Sequence, residues 1–177
     1  MHVIESERLV LRPLQVSDAT QVYADWLNDP AVNQFLETRH QVQTVESCRA
    51  FIQQCNAGDA DHLFGIFSKD TGEHIGNTKL GFIHPQYLRG QLSLFIGAKA
   101  YWNKGLASEV VKAMTHFGFV QLGLNRIEAG CYEGNLASLR IFLKAGYTVE
   151  GFLRNHVISN GASGGCFWLG MLKNEWR

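Results

Sequence analysis

An apolar stretch from Leu92 to Gly97 leads through Tyr101-Trp102-Asn103-Lys104-Gly105-Leu106-Ala107-Ser108-Glu109 into an amphipathic helical pattern. No other feature constrains the fold as strongly. A strand apolar on both faces has both faces covered, so it belongs at the centre of a sheet. A glycine and two small residues at a strand-to-helix turn leave main-chain N–H groups uncovered beside the positive end of the helix dipole. With no acidic residue expected in the first turn, that is a place for phosphate. The turn lacks the Gly-Lys-Ser/Thr ending of a P-loop and the three spaced glycines of a dinucleotide fingerprint. Taken alone, it reads better as a tight crossing of helix and sheet.

The chain has 177 residues, enough for one domain with a proper core, expected to span 1–177. Sixteen basic and sixteen acidic side chains balance, so no global field draws nucleic acid or an anionic membrane, and any phosphate recognition is local. Cys48, Cys55, Cys131 and Cys166 show no metal-ligand spacing, and Cys48 and Cys55 read as small apolar filler on one helix face. No charged-then-apolar N-terminal signal and no apolar run of membrane-spanning length is visible. The expectation is a cytoplasmic, reduced protein without a metal.

Alternation in Val3–Leu14 suggests a first strand. Ser17 can cap a helix carrying Val22, Tyr23, Trp26 and Leu27, ended by Asp29-Pro30. Thr44 can cap a second through Val45, Cys48, Phe51, Ile52 and Cys55. Leu63–Phe67 and Ile75–Ile83 are strands joined by a turn at Asp70-Thr71-Gly72-Glu73, and Leu92–Gly97 is the fourth. A helix from about Lys104 buries Leu106, Val110, Met114 and Phe117. Arg126–Tyr132 is the fifth strand, and Asn135–Ala145 a helix with Leu139, Phe142 and Leu143 inward, stopped by Gly146. The last strands, Thr148–Ile158 and Cys166–Leu172, are joined by a flexible Ser159–Gly165 segment. The order is β-α-α-β-β-β-α-β-α-β-β, a mixed α/β (α+β) fold.

A second constellation joins the turn: Arg126-Ile127-Glu128-Ala129, then Asn135-x-x-Ser138, then Lys144-Ala145-Gly146-Tyr147. With the Trp-Asn-Lys-Gly-Leu-Ala turn and the element order, these residues resemble the GCN5-related N-acetyltransferase (GNAT) superfamily over essentially the whole chain. The opening Arg8-Leu9-x-Leu11-Arg12-Pro13 with Asp18 is similar to the branch that includes ribosomal-protein N-terminal acetyltransferases. The resemblance implies a mostly antiparallel seven-stranded sheet flanked by about four helices, opened between the fourth and fifth strands where acetyl-CoA lies.

It further implies roles. The pyrophosphate would take N–H groups along Trp102, Asn103, Lys104, Gly105, Leu106, Ala107 and Ser108, while Phe95, Ile96 and Gly97 would offer main-chain groups to the pantetheine. Asn135 and Ser138 would lie beside the thioester, and Lys144 near the adenosine phosphate. The tyrosine that protonates the leaving thiolate in many relatives is Phe142 here, so the role falls to Ser138 or water, or is not needed. Glu37, Glu128 and His156 are the groups available as base. Each has a plainer reading: a surface pair with Arg39, a partner for Arg126, and a structural histidine.

Val32–Arg39 and Ile75–Gly81 resemble enzymes that acetylate amino sugars carried on nucleotides. Arg39, Lys79, Arg89, Arg154 and the histidines are the candidates to clamp a diphosphate, with Glu37 also at the acceptor. Gln91 and Gly164-Gly165 stand where relatives carry acidic or His-Asp residues. The expected activity is direct acetyl transfer to a nucleotide-linked amino sugar, by a monomer or homodimer. The rivals are an N-terminal protein acetyltransferase and a non-catalytic acyl-CoA-binding module.

Overall fold

The computed structural model describes residues 2–159 and 161–177, and nothing of the Ser159 side chain. The single strand expected at the start is a hairpin of β1 (Ile4–Glu5) and β2 (Leu9–Pro13), closed by Ser6 N–H donating to Leu9 O. Helix α1 (Gln21–Asn28) is capped by Thr20, whose Oγ1 accepts from Tyr23 N–H, and not by Ser17. Ser17 lies in a 3-10 turn, Val16–Asp18, held from outside the helix. There the Asp18 carboxylate takes both Arg12 guanidinium nitrogens at 2.7 Å and the Gln15 N–H. That turn delays the helix start by one step. Asp29 ends α1 and also caps α2 (Pro30–Asn33), accepting from Ala31 N–H, so the proline begins a short helix as well as stopping a longer one. Thr44 caps α3 (Val45–Asn56), as the sequence indicates.

Strands β3 (His62–Ser68) and β4 (His74–His84) meet through a turn in which Gly72 takes φ +70°. Strand β5 (Arg89–Ile96) precedes α4 (Leu106–His116), which runs on as a π-helical turn over Phe117–Gln121. Then follow β6 (Arg126–Tyr132), α5 (Leu136–Lys144), β7 (Thr148–Ser159) and β8 (Ala162–Leu172). Most of the link expected to be flexible is strand, because β7 and β8 stay paired out to Ser159 and Ala162. Asn160 lies outside the described residues.

Eight strands form one sheet in the order β1-β2-β3-β4-β5-β6-β8-β7, one more than expected because the first strand is a hairpin. Only β5 and β6 run parallel; every other pair is antiparallel. Period-two alternation divides the side chains between two layers. Leu9, Leu11, Ile66, Leu80, Leu92, Ile127 and Ala129 share one core with α4 and α5. Leu14 and Leu63 share another with Tyr23, Leu27, Cys48, Ile52 and Cys55 of α1 and α3. Val22 and Leu143 were expected to face inward; both are exposed, since each lies at the margin of its helix's apolar stripe.

The parallel pair is short. It joins Arg89 to Arg126, Gly90 to Ile127 and Gln91 to Glu128, and then stops. Beyond it β5 continues against β4, and β6 against β8, so the sheet parts down its middle. Among the described residues no helix is long and apolar enough to cross a membrane.

The Arg12–Asp18 pair ties β2 to the turn that aims α1, and Arg12 also lies 4.0 Å from the Phe67 ring centroid. Its hydrogen bond to Arg12 holds the Asp18 carboxyl below the ordinary 3.8. A depressed carboxyl adds stability above its unfolded pKa and loses it as pH falls through the folded one. Chemical denaturation of Asp18→Asn should show a deficit against wild type that is full above about pH 5 and closes as pH drops below about 3.8.

Candidate active site

Two segments border the parted sheet. On the α4 side is the turn before that helix, where Asn103 and Gly105 both have positive φ, 60° and 77°. The helix begins at Leu106, with Gly105 as its cap, not at Lys104. Only a left-handed residue fits the cap, and a side chain there would be strained whatever the space. Among the described residues the N–H groups of Asn103, Lys104, Gly105, Leu106 and Ala107 have no hydrogen-bond partner, whereas those of Ser108 and Glu109 turn back to Gly105 O. Five free donors at a helix start form an anion cradle.

The expectation of a carboxylate-free first turn fails at Glu109. Its charge is met by Arg8 on the N-terminal hairpin. Arg8 N–H donates to Oε1 at 2.7 Å, and Nε and a terminal nitrogen approach Oε2 at 2.9 Å each. The other terminal nitrogen donates to Lys104 O at 2.9 Å. Burial pushes the Glu109 carboxyl up, but hydrogen bonds from Ser6 and Arg8 outweigh it and hold the group below its ordinary value. Sequence reading missed Arg8 because its partner lies 101 residues away.

Main-chain groups expected from β5 are partly committed. Gly97 N–H donates to Ile75 O, and Trp102 Nε1 donates to Ile96 O at 2.8 Å, so the indole braces the strand end. A Cβ at Gly97 would run into the Trp26 ring, which explains the glycine without any ligand. Phe95 packs with Tyr23 and Trp26 on the α1 side. Asn135 caps α5 by accepting from Ser138 N–H at 3.1 Å. Ser138 Oγ lies 3.4 Å from Cys131 Sγ, on the layer shared with α4 and α5. Phe142 is buried edge-on against Tyr147, whose hydroxyl is bonded to Thr115 Oγ1. Lys144 is exposed in the last turn of α5.

On the other side of the sheet a cavity of about 910 Å³ reaches the parting from α1 and α3. Gln91 to Phe95 of β5 and Gly130 and Tyr132 of β6 line it, together with Glu37, Arg39, Lys79 and His156. Four of the residues expected at the acceptor thus share one space. Gly130 has no side chain where the Trp168 ring of β8 passes 3.2 Å from its would-be Cβ, which lets that ring form part of the wall. Arg39 crosses the mouth, donating to Leu36 O at 2.7 Å, Tyr132 Oη at 3.1 Å and Ile158 O at 3.0 Å.

Three expected residues, Arg89, Glu128 and Arg154, fall outside this lining. Glu128 is 8% exposed, lies below the parting, and is held by Arg126 at 2.8 Å and Arg89 at 3.5 Å. That carboxylate is engaged in ion pairs with both arginines. Arg154 lines an adjoining depression with Glu133 and Asn155, which shares His156 with the cavity. Sequence reading overlooked Tyr132 and Trp168; the only signal was their alternation onto the face opposite Ile127 and Cys131. Among the described residues no group of three or more His, Cys, Asp or Glu is placed to hold a metal.

A sheet parted beside a bare helix start defines a class of acyl-CoA-dependent enzyme, and comparison with known proteins gives the family. Residues 8–148 match the family model "Acetyltransferase (GNAT) domain". The uncharacterised N-acetyltransferase p20 of Bacillus licheniformis is 31% identical over 180 residues, 99% of each chain. YoaA of Bacillus subtilis, likewise named an uncharacterised N-acetyltransferase, is 32% identical over 163 residues, 90% of each. In fold, the chain is similar to a spermidine N-acetyltransferase from Vibrio cholerae in complex with CoA and spermine (TM-score 0.86, 17% identity, 96% and 98% covered). It is also similar to RimL, a ribosomal L7/L12 α-N-protein acetyltransferase in complex with CoA (TM-score 0.85, 21% identity, 97% and 98% covered). The chain belongs to the GNAT acetyltransferase family. It is an acetyl-CoA-dependent N-acetyltransferase.

If Arg8 serves the cradle by neutralising Glu109, Arg8→Ala should weaken CoA binding about tenfold in calorimetry, and adding Glu109→Gln should restore most of it. A double variant as weak as the single one would show that Arg8 acts in another way.

Proposed function

We propose that acetyl-CoA enters from the α4 side and that a primary amine, reaching the parting from the aromatic cavity, attacks with both substrates bound. The carrying observation is that β5 and β6 cease to pair one strand-length from a helix start with five unpartnered N–H groups. Acetyl-CoA supplies an activated acyl group as its thioester. The chain would hold its diphosphate on the amides of Asn103 to Ala107 and its pantetheine along the unpaired edge of β5. That fit rests on donors alone, since the turn offers no acceptor-rich surface to repel phosphate once Arg8 covers Glu109.

Ser138 lies on the cofactor side and is the one hydroxyl of the first α5 turn that can pass a proton to the departing sulfur. Its contact with Cys131, a thiol that burial pushes up and keeps neutral, orients the hydroxyl without competing for charge. On the amine side, Glu37 and His156 stand at the cavity edge, where a water can carry the proton away. An α-amino group titrates near about 8 and an alkylamine near about 10.4, so the second depends more on such help.

The nucleotide-linked amino sugar expected from the sequence would need free cations gathered for its diphosphate. Arg39 is bonded to three groups of the chain, Lys79 to Asp61, Arg89 to Glu128, and Arg154 faces another depression. These engagements argue against that acceptor and leave a primary amine as the substrate class. A protein N-terminus is the main rival, because RimL is by name an α-N-protein acetyltransferase.

Free-thiol release from acetyl-CoA with an amine panel tests the reading. Amine-dependent release is expected; tight CoA binding with no release on any amine would instead support a binding module. Ser138→Ala should lower kcat about tenfold while acetyl-CoA affinity moves less than about twofold. Equal losses in both would make the serine a binding residue.

A further inference from the structure

The proposed acceptor cavity already contains two of the chain's own cations, Lys79 and Arg39, beside its aromatic rings. Its walls include Phe35, Phe51, Phe82, Phe95, Tyr132 and Trp168. Aromatic faces are the usual holders of a second ammonium group when carboxylates are few. Here Lys79 Nζ lies 4.5 Å from the Phe82 ring centroid and 5.8 Å from that of Phe51, and the Arg39 guanidinium carbon lies 5.0 Å from that of Tyr132. The one carboxylate in the lining, Glu37, is 76% exposed and lies 3.8 Å from Arg39 and 3.9 Å from His40.

Lys79 is also fixed in place. Its ammonium is 2.9 Å from Asp61 and its side chain is 18% exposed. A Cβ at Gly81 would collide with both members of the pair, so the strand has no side chain where they meet. Two neutral atoms remain available. Thr38 Oγ1 and Asn77 Nδ2, both from residues of the lining, are buried without a partner. They can meet a hydroxyl or carbonyl but give no counter-charge.

We propose that the acceptor is a primary monoamine on a compact aromatic or aliphatic body, and that Lys79 is the residue that turns di- and polyamines away. This rests on the N-acetyltransferase reading above. A second ammonium entering the cavity would find the Phe82 and Tyr132 faces already beside the Lys79 and Arg39 cations, and Asp61 and Glu37 already paired with them, so neither carboxylate is left to receive it. A monoamine brings its one charge to the parting, where it must be lost for attack, and lays its apolar body against the rings.

The test measures thiol release by the full chain with phenethylamine, spermidine, a UDP-linked amino sugar and a short peptide with a free N-terminal serine. Phenethylamine should exceed spermidine in kcat/KM by at least about tenfold. In Lys79→Met, which keeps the aliphatic stem but leaves Asp61 and the ring faces free, the spermidine-to-phenethylamine ratio should rise about tenfold. Lys79→Gln should move it the same way, and unchanged CoA binding by calorimetry shows that each variant is folded. Spermidine, the sugar nucleotide or the peptide as the best wild-type substrate would overturn the proposal, as would a ratio that neither variant moves. Silence on phenethylamine alone overturns only the acceptor class. Silence on all four amines, with CoA bound, overturns the aromatic cavity as the amine site as well.

Discussion

The parting of β5 from β6 is the constraint on which the rest of the structure depends. A sheet interior normally satisfies every main-chain donor and acceptor, and an unpaired group shut away from water is costly. Three residue pairs hold the strands together, and then five residues of β5 and four of β6 lose each other as partners. Beyond those pairs β5 stays with β4 and β6 with β8 on their outer edges, and the two inner edges are left facing the gap. What the gap lacks, an extended molecule with amides of its own can supply. Acetyl-CoA meets that description.

Around the gap the two layers divide the work. The α4 side provides donors, with its one first-turn carboxylate held by Arg8 from the far edge of the sheet. The α1 and α3 side provides a cavity walled by rings and braced by Arg39, which links the Leu36–His40 turn to β6 and β7. A proton donor on the first side and an amine on the second would face each other through the sheet. The N-terminal hairpin, although at the edge of the sheet, thus reaches the start of α4 through Arg8.

Features encoded within a few residues could be read from the sequence. The Thr44 cap, the Gly72 turn, the Gly105 turn with its helix, and the Asn135 cap all depend on neighbours, and all are present. Features that depend on distant partners could not. Ser17 is a cap by residue type, but the Arg12–Asp18 pair holds it within a 3-10 turn, and Thr20 caps the helix instead. Glu109 lay in plain view, but its partner Arg8 did not. Lys79 looked like a free phosphate ligand, whereas Asp61 and two phenylalanine rings already hold it. Glu128 was a reasonable base on residue type alone, and two arginines occupy it. In the acceptor cavity the charges mostly neutralise one another within the chain, so residue type overstated what remains free for a substrate.

An amide-resolved NMR titration of the full chain with CoA probes the gap and its bare helix start directly. The largest shifts should fall on the N–H groups of Asn103 to Ala107 and along Leu92 to Ile96. If those amides stay still while CoA binds, with the shifts gathered elsewhere on the sheet, the parting is not the cofactor site and the account fails.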